Sequence, residues 1–329
     1  MTGSPPPWRL LVLVPLGEDL IRGLFGALDA EISVPAARDS EGMHAALADA
    51  DLVVGDYTGA LAMDAAAVAA APDLAFVQMP SVGVDTCDLD ALTAAGVPLA
   101  NAAGANARSV AEWALAATFD LSRSITWADR RMRAGEWPQM ETAARGADEL
   151  GGRRVGILGM GAIGMEVMRL FDAIGCQTAY WSRRRRPDGV FKEIDELLAT
   201  SDVVVVCLPR TPETAGLLNA ERLALMPARS LLVNVARGGI APDDAVLAAL
   251  ESGTLAGAAL DVYDQEPLPA DHPLRSHDNV LLSPHTAGAT RQAQLNIITA
   301  VLDNVKAVTE GRPARHVVNG VDPVIRRRR

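Results

Sequence analysis

Short apolar runs alternate with longer, alanine-rich amphipathic stretches along almost the whole chain. In the first third, apolar runs at 10–14, 52–55, 74–79 and 98–100 are separated by stretches of helical spacing at 20–28, 61–71 and 89–95. Continuous apolar runs suit strands buried on both faces, and the stretches between them suit crossover helices. The pattern therefore predicts a parallel sheet covered on both sides. A long helix is expected from about Asn106 to Ser122, with Ser109 and Glu112 at capping-box spacing. Between Thr126 and Gly151 the periodicity weakens, as in an exposed arm or connector. The alternation resumes at Arg154, with strands expected at 155–158, 177–181, 203–208, 230–234, 255–260 and 279–283 and helices at 165–173, 194–199, 243–251 and 291–310. Two such alternations in one chain predict an α/β fold of two Rossmann-like, doubly wound parallel-sheet domains.

Composition narrows the class. A chain of 329 residues suggests two domains, on a prior of about 150 residues each. Hydrophobic residues make up 49% and aromatics only 4%, so the cores must rest on Ala, Val, Leu and Ile. A net charge of −11 argues against nucleic-acid or membrane-surface partners. Arginine clusters at 183–186 and 326–329 are local exceptions; the second reads as a solvated end, the first as either a solvated loop or a phosphate site. Cys87, Cys176 and Cys207 lie far apart, so neither a disulfide framework nor a metal site is expected. Residues 1–7 lack a targeting pattern and no apolar run approaches a membrane span, which points to a cytoplasmic protein.

The run 155–164, V-G-I-L-G-M-G-A-I-G, carries the first specific chemistry. It reads as a strand turning through G-x-G-x-x-G into a helix, with another strand after it. Gly159, Gly161 and Gly164 would let the backbone approach a pyrophosphate, which then sits on the helix N-terminus with Ala162 and Ile163. Where an NAD-type site would carry an acid after the second strand, this chain has Ser182, Arg183 and Arg184.

Three further residues follow predicted strands, at the edge where open α/β sheets bind ligands: Arg237 in N-V-A-R-G-G, Glu266 in D-V-Y-D-Q-E-P-L and His285 in S-P-H-T-A-G. Singly, each is compatible with an ordinary surface or turn residue. Jointly they make a 2-oxo-acid site. A guanidinium binds a carboxylate bidentately, a histidine transfers a proton near neutral pH, and a carboxylate stabilises its imidazolium.

With these pieces the chain resembles the D-isomer-specific 2-hydroxyacid dehydrogenase family, from about Gln78 to Thr290. The resemblance rests on S-V-G-V-D at 81–85, Asn101 with G-A-N at 104–106, S-V-A-E at 109–112, the glycine fingerprint, L-P-R-T-P-E-T at 208–214, N-V-A-R-G at 234–238, L-D-V at 260–262 with E-P-L at 266–268, and S-P-H at 283–285. It implies a cofactor domain, 104–289, with a dimerisation helix and arm, inserted in a substrate domain formed by 1–103 and 290–329. It implies that Arg237 orients the substrate and polarises its carbonyl, that His285 donates or accepts the proton, and that Glu266 pairs with His285. Ser81, Val82 and Gly83 would offer backbone N–H groups to the substrate carboxylate. Leu208, Pro209, Thr214, Val235, Ala236, Asp261 and Gly288 would border the cofactor, with Asp261 on the nicotinamide carboxamide. A homodimer is implied, with the helix near Ala111 and the 127–137 arm at its interface.

The expected reaction is hydride transfer between NAD(P)H and C2 of a 2-oxo acid, without a metal. Ser182 with Arg183 and Arg184 can accept a 2′-phosphate, so NADP(H) is the expected cofactor; if Arg183 stacks on the adenine instead, NAD(H) also serves. Similar serine–arginine sequences in the family accompany glyoxylate and hydroxypyruvate reductases, the first expectation for substrate. Bulkier aryl or branched 2-oxo acids are the alternative. A formate dehydrogenase is disfavoured, because that branch carries Gln where this chain has Glu266. A nicotinamide-sensing corepressor of the same fold is a third reading, from which turnover would distinguish an enzyme.

Overall fold

A computed structural model describes residues 6–328. Most of the N-terminal stretch 1–7, and Arg329, thus lie outside the described residues. The chain forms two compact units, Met1–Asn106 with Arg291–Arg329, and Ala107–Thr290.

The first unit is a five-stranded parallel sheet of β1 (Trp8–Val12), β2 (Ala30–Ser33), β3 (Leu52–Val54), β4 (Phe76–Gln78) and β5 (Leu99–Ala100), in the order β2-β1-β3-β4-β5. Helices α1 (Glu18–Phe25), α2 (Ser40–Leu47), α3 (Ala65–Ala69) and α4 (Leu89–Ala94), and the C-terminal helix Arg291–Thr309, cover it. Alternate strand residues feed two cores. Leu10, Val12, Leu52 and Phe76 pack with Val301, Val305 and Val308, while Leu11, Val53 and Val77 pack with Met43, Leu47 and Leu92. Two-sided burial is why these strands read as unbroken apolar runs. The C-terminal helix is also tied to β4 by a buried amide pair, Asn304 Nδ2 donating to Gln78 Oε1 at 2.7 Å.

Two elements of this unit were not expected from the pattern. β2 is a half-exposed edge strand, A-E-I-S, without an apolar run. α2 begins at Asp39, whose carboxylate accepts from Gly42 N at 2.8 Å. The helix expected at 61–71 contracts to α3, capped by Asp64. Two of the C-terminal arginines are held against the fold: Arg327 stacks on the Trp8 ring at 4.3 Å and Arg328 donates to the Ala95 carbonyl, beside the buried Ile325, while Arg326 is exposed. Their charge is accommodated because the guanidinium planes find an aromatic face and a carbonyl.

The second unit begins with α5 (Ala107–Arg123), α6 (Ile125–Arg133) and α7 (Gln139–Ala144). There follow β6 (Arg154–Leu158), α8 (Ala162–Ala173), β7 (Gln177–Trp181), α9 (Ile194–Thr200), β8 (Val203–Val206), α10 (Ala220–Leu223), β9 (Ser230–Asn234), α11 (Asp243–Glu251), β10 (Leu255–Leu260) and β11 (Val280–Leu282). The six strands are all parallel, in the order β11-β10-β9-β8-β6-β7. The order reverses between β6 and β8, which is the topological switch point of the sheet. Small residues on α5 (Ala111, Ala114, Ala117) join the core shared with α8.

Ser109 does not cap α5. The helix starts two residues earlier, which places Ser109 inside the first turn, where its hydroxyl bonds Thr290 Oγ1 at 2.7 Å. Glu112 pairs with Arg108 instead. The stretch expected as an arm is helical, in α6 and α7. Trp127 is buried between the guanidinium groups of Arg131 and Arg145, whereas Trp137 is 74% exposed and Met140 76%. Among the described residues no helix is long and apolar enough to cross a membrane.

At the amino end of β1, Asp51 accepts from Arg9 N and Nε at 3.0 and 3.1 Å and from a second guanidinium nitrogen at 2.5 Å. Burial pushes the Asp51 carboxyl up, but the hydrogen bonds and charge of Arg9 outweigh it and hold the carboxyl below its ordinary range. Such a group stabilises the fold above the carboxylate range of the unfolded chain, and the contribution disappears as pH falls through the lowered value. Asp51→Asn is expected to lower unfolding free energy by about 2 kcal/mol at neutral pH. In urea unfolding followed by circular dichroism, that deficit should shrink near pH 3; an equal deficit at both pH values would contradict the assignment.

Candidate active site

The carboxyl ends of β6 to β11 place one candidate residue set after another along one edge of the second sheet. After β6, Gly159 adopts φ +103°, and a Cβ there would lie 2.7 Å from the Cys207 carbonyl oxygen. Gly164 packs its α-carbon against the same turn, where a Cβ would lie 2.0 Å from the Gly159 oxygen. Gly161 differs: a Cβ on it would meet no atom within 4 Å. It caps α8 without a side-chain acceptor. The outer two glycines thus build the turn, and the middle one leaves an open cradle before a helix N-terminus, which fits a dinucleotide pyrophosphate.

After β7, the arginine run is a pinned turn. The buried Tyr180 hydroxyl accepts from Arg186 N at 2.6 Å and donates to Arg186 O at 2.8 Å, and Ser182 Oγ donates to Arg184 O at 2.6 Å. Arg185 folds back, 4.2 Å above the Phe191 ring and 3.4 Å from Glu193. Arg183 and Arg184 are exposed. Arg183 also faces the β8 loop: the Thr211 hydroxyl, then the backbone and the Arg183 charge, hold the Glu213 carboxyl below its usual range. Glu213 is thus a countercharge to Arg183.

In that β8 loop, Leu208 is buried and Pro209 exposed. Thr214 is 1% exposed, and its hydroxyl accepts from Thr211 N at 2.7 Å and donates to Pro209 O at 2.8 Å. It therefore holds the loop in shape, with its hydroxyl used inside it. Val235 and Ala236, after β9, are also buried. Next, Arg237 is braced by Nη1 donating to the Ala236 carbonyl at 2.7 Å. Asn234 steadies this turn, Oδ1 accepting from Ala236 N at 3.1 Å.

Asp261, at the end of β10, is 2% exposed. Its carboxylate takes Ser283 Oγ at 2.5 Å, Thr286 N at 2.7 Å and Ala287 N at 2.9 Å. It thereby folds the β11 loop around itself, just before Gly288. His285 in that loop has φ +55°, unfavourable for a non-glycine residue by roughly 1–2 kcal/mol, and is fixed there by its N–H to Asp261 O at 2.9 Å. His285 Nδ1 meets Glu266 Oε2 at 2.7 Å, while Glu266 Oε1 accepts from Tyr263 N at 3.1 Å. No partner for His285 Nε2 is found among the described residues, so that nitrogen can meet a substrate oxygen.

Ser81, Val82 and Gly83 belong to the first unit, after β4. Their carbonyls are all engaged: Ser81 O accepts from Ala102 N at 2.9 Å, Val82 O from Asn101 Nδ2 at 2.6 Å and Gly83 O from Ser81 Oγ at 2.7 Å. Among the described residues no acceptor is found for their N–H groups. A turn with its oxygens tied back and its N–H groups unspent suits an anion.

A parallel sheet with a glycine turn at its switch point and an arginine and a His–Glu pair along the same edge defines a dinucleotide-dependent α/β dehydrogenase. Residues 115–287 match the profile described as "D-isomer specific 2-hydroxyacid dehydrogenase, NAD binding domain". The chain is 35% identical to a glyoxylate reductase of Thermofilum pendens, over 78% of each chain. It is 34% identical to a D-3-phosphoglycerate dehydrogenase of Archaeoglobus fulgidus, over 94% of this chain but only 59% of that relative's length. Its structure matches the holo form of Rhodotorula graminis D-mandelate dehydrogenase with a TM-score of 0.88 at 25% identity, covering 97% of this chain and 99% of that one. The chain belongs to the D-isomer-specific 2-hydroxyacid dehydrogenase family and, with it, to the nicotinamide-dependent oxidoreductases.

The two kinds of glycine separate in a simple test. Gly161→Ala should fold with an unchanged thermal midpoint yet bind the dinucleotide at least about tenfold more weakly, a loss of ~1.4 kcal/mol. Gly164→Ala should lower the midpoint itself. Fluorescence titration with NADPH and NADH beside thermal melts would measure both, and undiminished binding by Gly161→Ala would refute the cradle.

Proposed function

We propose that the protein is a 2-oxo acid reductase of the glyoxylate and hydroxypyruvate type that prefers NADP(H). The observation that carries the reading is the His285–Glu266 pair, strained into place beside the Arg237 turn on the dinucleotide edge of the sheet. A bound nicotinamide supplies the hydride. Everything else is placement, charge and a proton. Arg237 binds the substrate carboxylate and polarises the carbonyl at C2. His285 Nε2 donates the proton to the carbonyl oxygen in reduction and takes it back in oxidation, while Glu266 on Nδ1 orients the ring and stabilises the imidazolium. The N–H groups of Ser81, Val82 and Gly83, in the first unit, are proposed as donors to a carboxylate. Asp261, with one lone-pair position left after three donors, is assigned to the nicotinamide carboxamide.

The cofactor preference is supported by the pinned turn after β7. Ser182, Arg183 and Arg184 stand where an acid would bind the ribose diol, and a 2′-phosphate would compete with Glu213 for Arg183. The glyoxylate reductase relative supports a small substrate, and the D-mandelate dehydrogenase likeness favours an aryl 2-oxo acid as the second reading. A homodimer is the proposed assembly, supported by the exposed Ile125, Met132, Trp137 and Met140 on α6 and around α7.

A panel of 2-oxo acids followed at the NADPH absorbance tests both parts. Glyoxylate and hydroxypyruvate should turn over, and kcat/KM with NADPH should exceed that with NADH by about tenfold or more. Ser182→Asp combined with Arg183→Ala should reverse the ratio; an NADH preference in the wild type would refute the cofactor assignment. His285→Ala should lower kcat by about 10²- to 10⁴-fold while cofactor affinity, read by fluorescence, stays within about twofold. Activity retained by this variant would remove His285 from the mechanism.

A further inference from the structure

The sheet ladder between β9 and β10 ends at the pair Asn234 and Leu260, with Asp261 N donating to Asn234 O at 3.0 Å. Beyond it, the turn carrying Arg237 and the loop carrying Glu266 lose the regular strand ladder. Two carboxylates replace it. Asp264 accepts from Gly239 N at Oδ1 (2.8 Å) and from Asp243 N at Oδ2 (2.9 Å), and Asp243 Oδ2 accepts from Asp264 N at 3.2 Å. Between them the chains touch: a Cβ on Gly238 would lie 1.7 Å from the Tyr263 carbonyl oxygen. Tyr263 N then donates to Glu266, which holds His285.

We propose that Asp264 and Asp243 form a carboxylate clasp that sets the separation between the Arg237 turn and the Glu266–His285 pair, making both positioning residues for hydride transfer to the 2-oxo acid. The arrangement is costly for a purely structural contact. Asp243 is 6% exposed, and burial, then the neighbouring Asp264 charge, pushes its carboxyl up. His272 Nε2 lies 3.7 Å from the Asp243 carboxylate. A helix cap for α11 would need only one of the three hydrogen bonds. The other two, Gly239 N to Asp264 and Asp264 N to Asp243, tie the two active-site loops to each other.

The proposal rests on the reductase reading, so the wild-type 2-oxo acid panel is run beside the variants. Asp264→Ala is expected to lower kcat about a hundredfold, as a misplaced reacting group does. KM for glyoxylate should rise, while NADPH affinity stays within about twofold and the thermal midpoint still reports a folded protein. Asp264→Asn, which keeps one acceptor oxygen, should recover part of the loss, and Asp243→Asn should fall between. If Asp264→Ala proves unfolded, the two asparagine variants carry the test through the same split between kcat and cofactor affinity. Folded variants with wild-type kcat and KM, or with activity and cofactor affinity falling together, would overturn the clasp and leave the reductase reading intact. A wild-type protein that reduces no 2-oxo acid would overturn both.

Discussion

All six strands of the second unit run in one direction, and the function proposed for the chain depends on that constraint. Parallel strands require a crossover after each one, so every carboxyl end opens into a loop on the same edge. The glycine turn, the arginine turn after β7, the β8 loop, Arg237, Asp261 with Glu266, and His285 each occupy one of these six loops. Burial of the sheet on both faces keeps the strands rigid, and rigid strands are what allow residues more than a hundred positions apart to serve one site.

Loops at such an edge lack a sheet ladder to order them, and here side-chain acceptors take its place, with Asn234, Asp243 and Asp261 buried and Asp264 exposed. Asp261 gathers three donors from the β11 loop, Asn234 steadies the Arg237 turn, and Asp264 and Asp243 bridge the neighbouring loops. The three buried acceptors are worth more here than at an open surface, because an unmade hydrogen bond in a water-poor setting costs more than one exposed to solvent. This network also tolerates the left-handed backbone at His285. The same physics governs the first unit, where engaging the carbonyls of residues 81–83 leaves the N–H groups as the donors of that turn.

Much of this organisation was legible in the chain. Buried parallel strands are apolar on both faces, so β1, β3, β6, β8 and β9 announce themselves without periodicity. The glycines at 159, 161 and 164 stand at a spacing that the turn geometry demands. What stayed hidden depended on partial exposure or on distant partners. β2 escapes because an edge strand needs no apolar run. Ser109 and Glu112 carry the letters of a capping box, yet Ser109 lies inside the helix and bonds Thr290. The terminal arginines read as solvated because nothing in their own segment reveals the Trp8 ring on which Arg327 lies.

The amino-acid sequence by itself determined the two β-α alternations, the dinucleotide turn, and the order of arginine, glutamate and histidine behind it, because each rests on local periodicity or on residues a few positions apart. Only the tertiary structure decided that Thr214 spends its hydroxyl within its own loop, that Gly161 rather than its neighbours leaves the cradle open, and that Asp264 and Asp243 bind each other's backbone. Those assignments depend on hydrogen bonds and close approaches set by how separate loops pack. A carboxylate's letter in the chain is the same whether it meets water, a guanidinium or an N–H group from the adjoining turn.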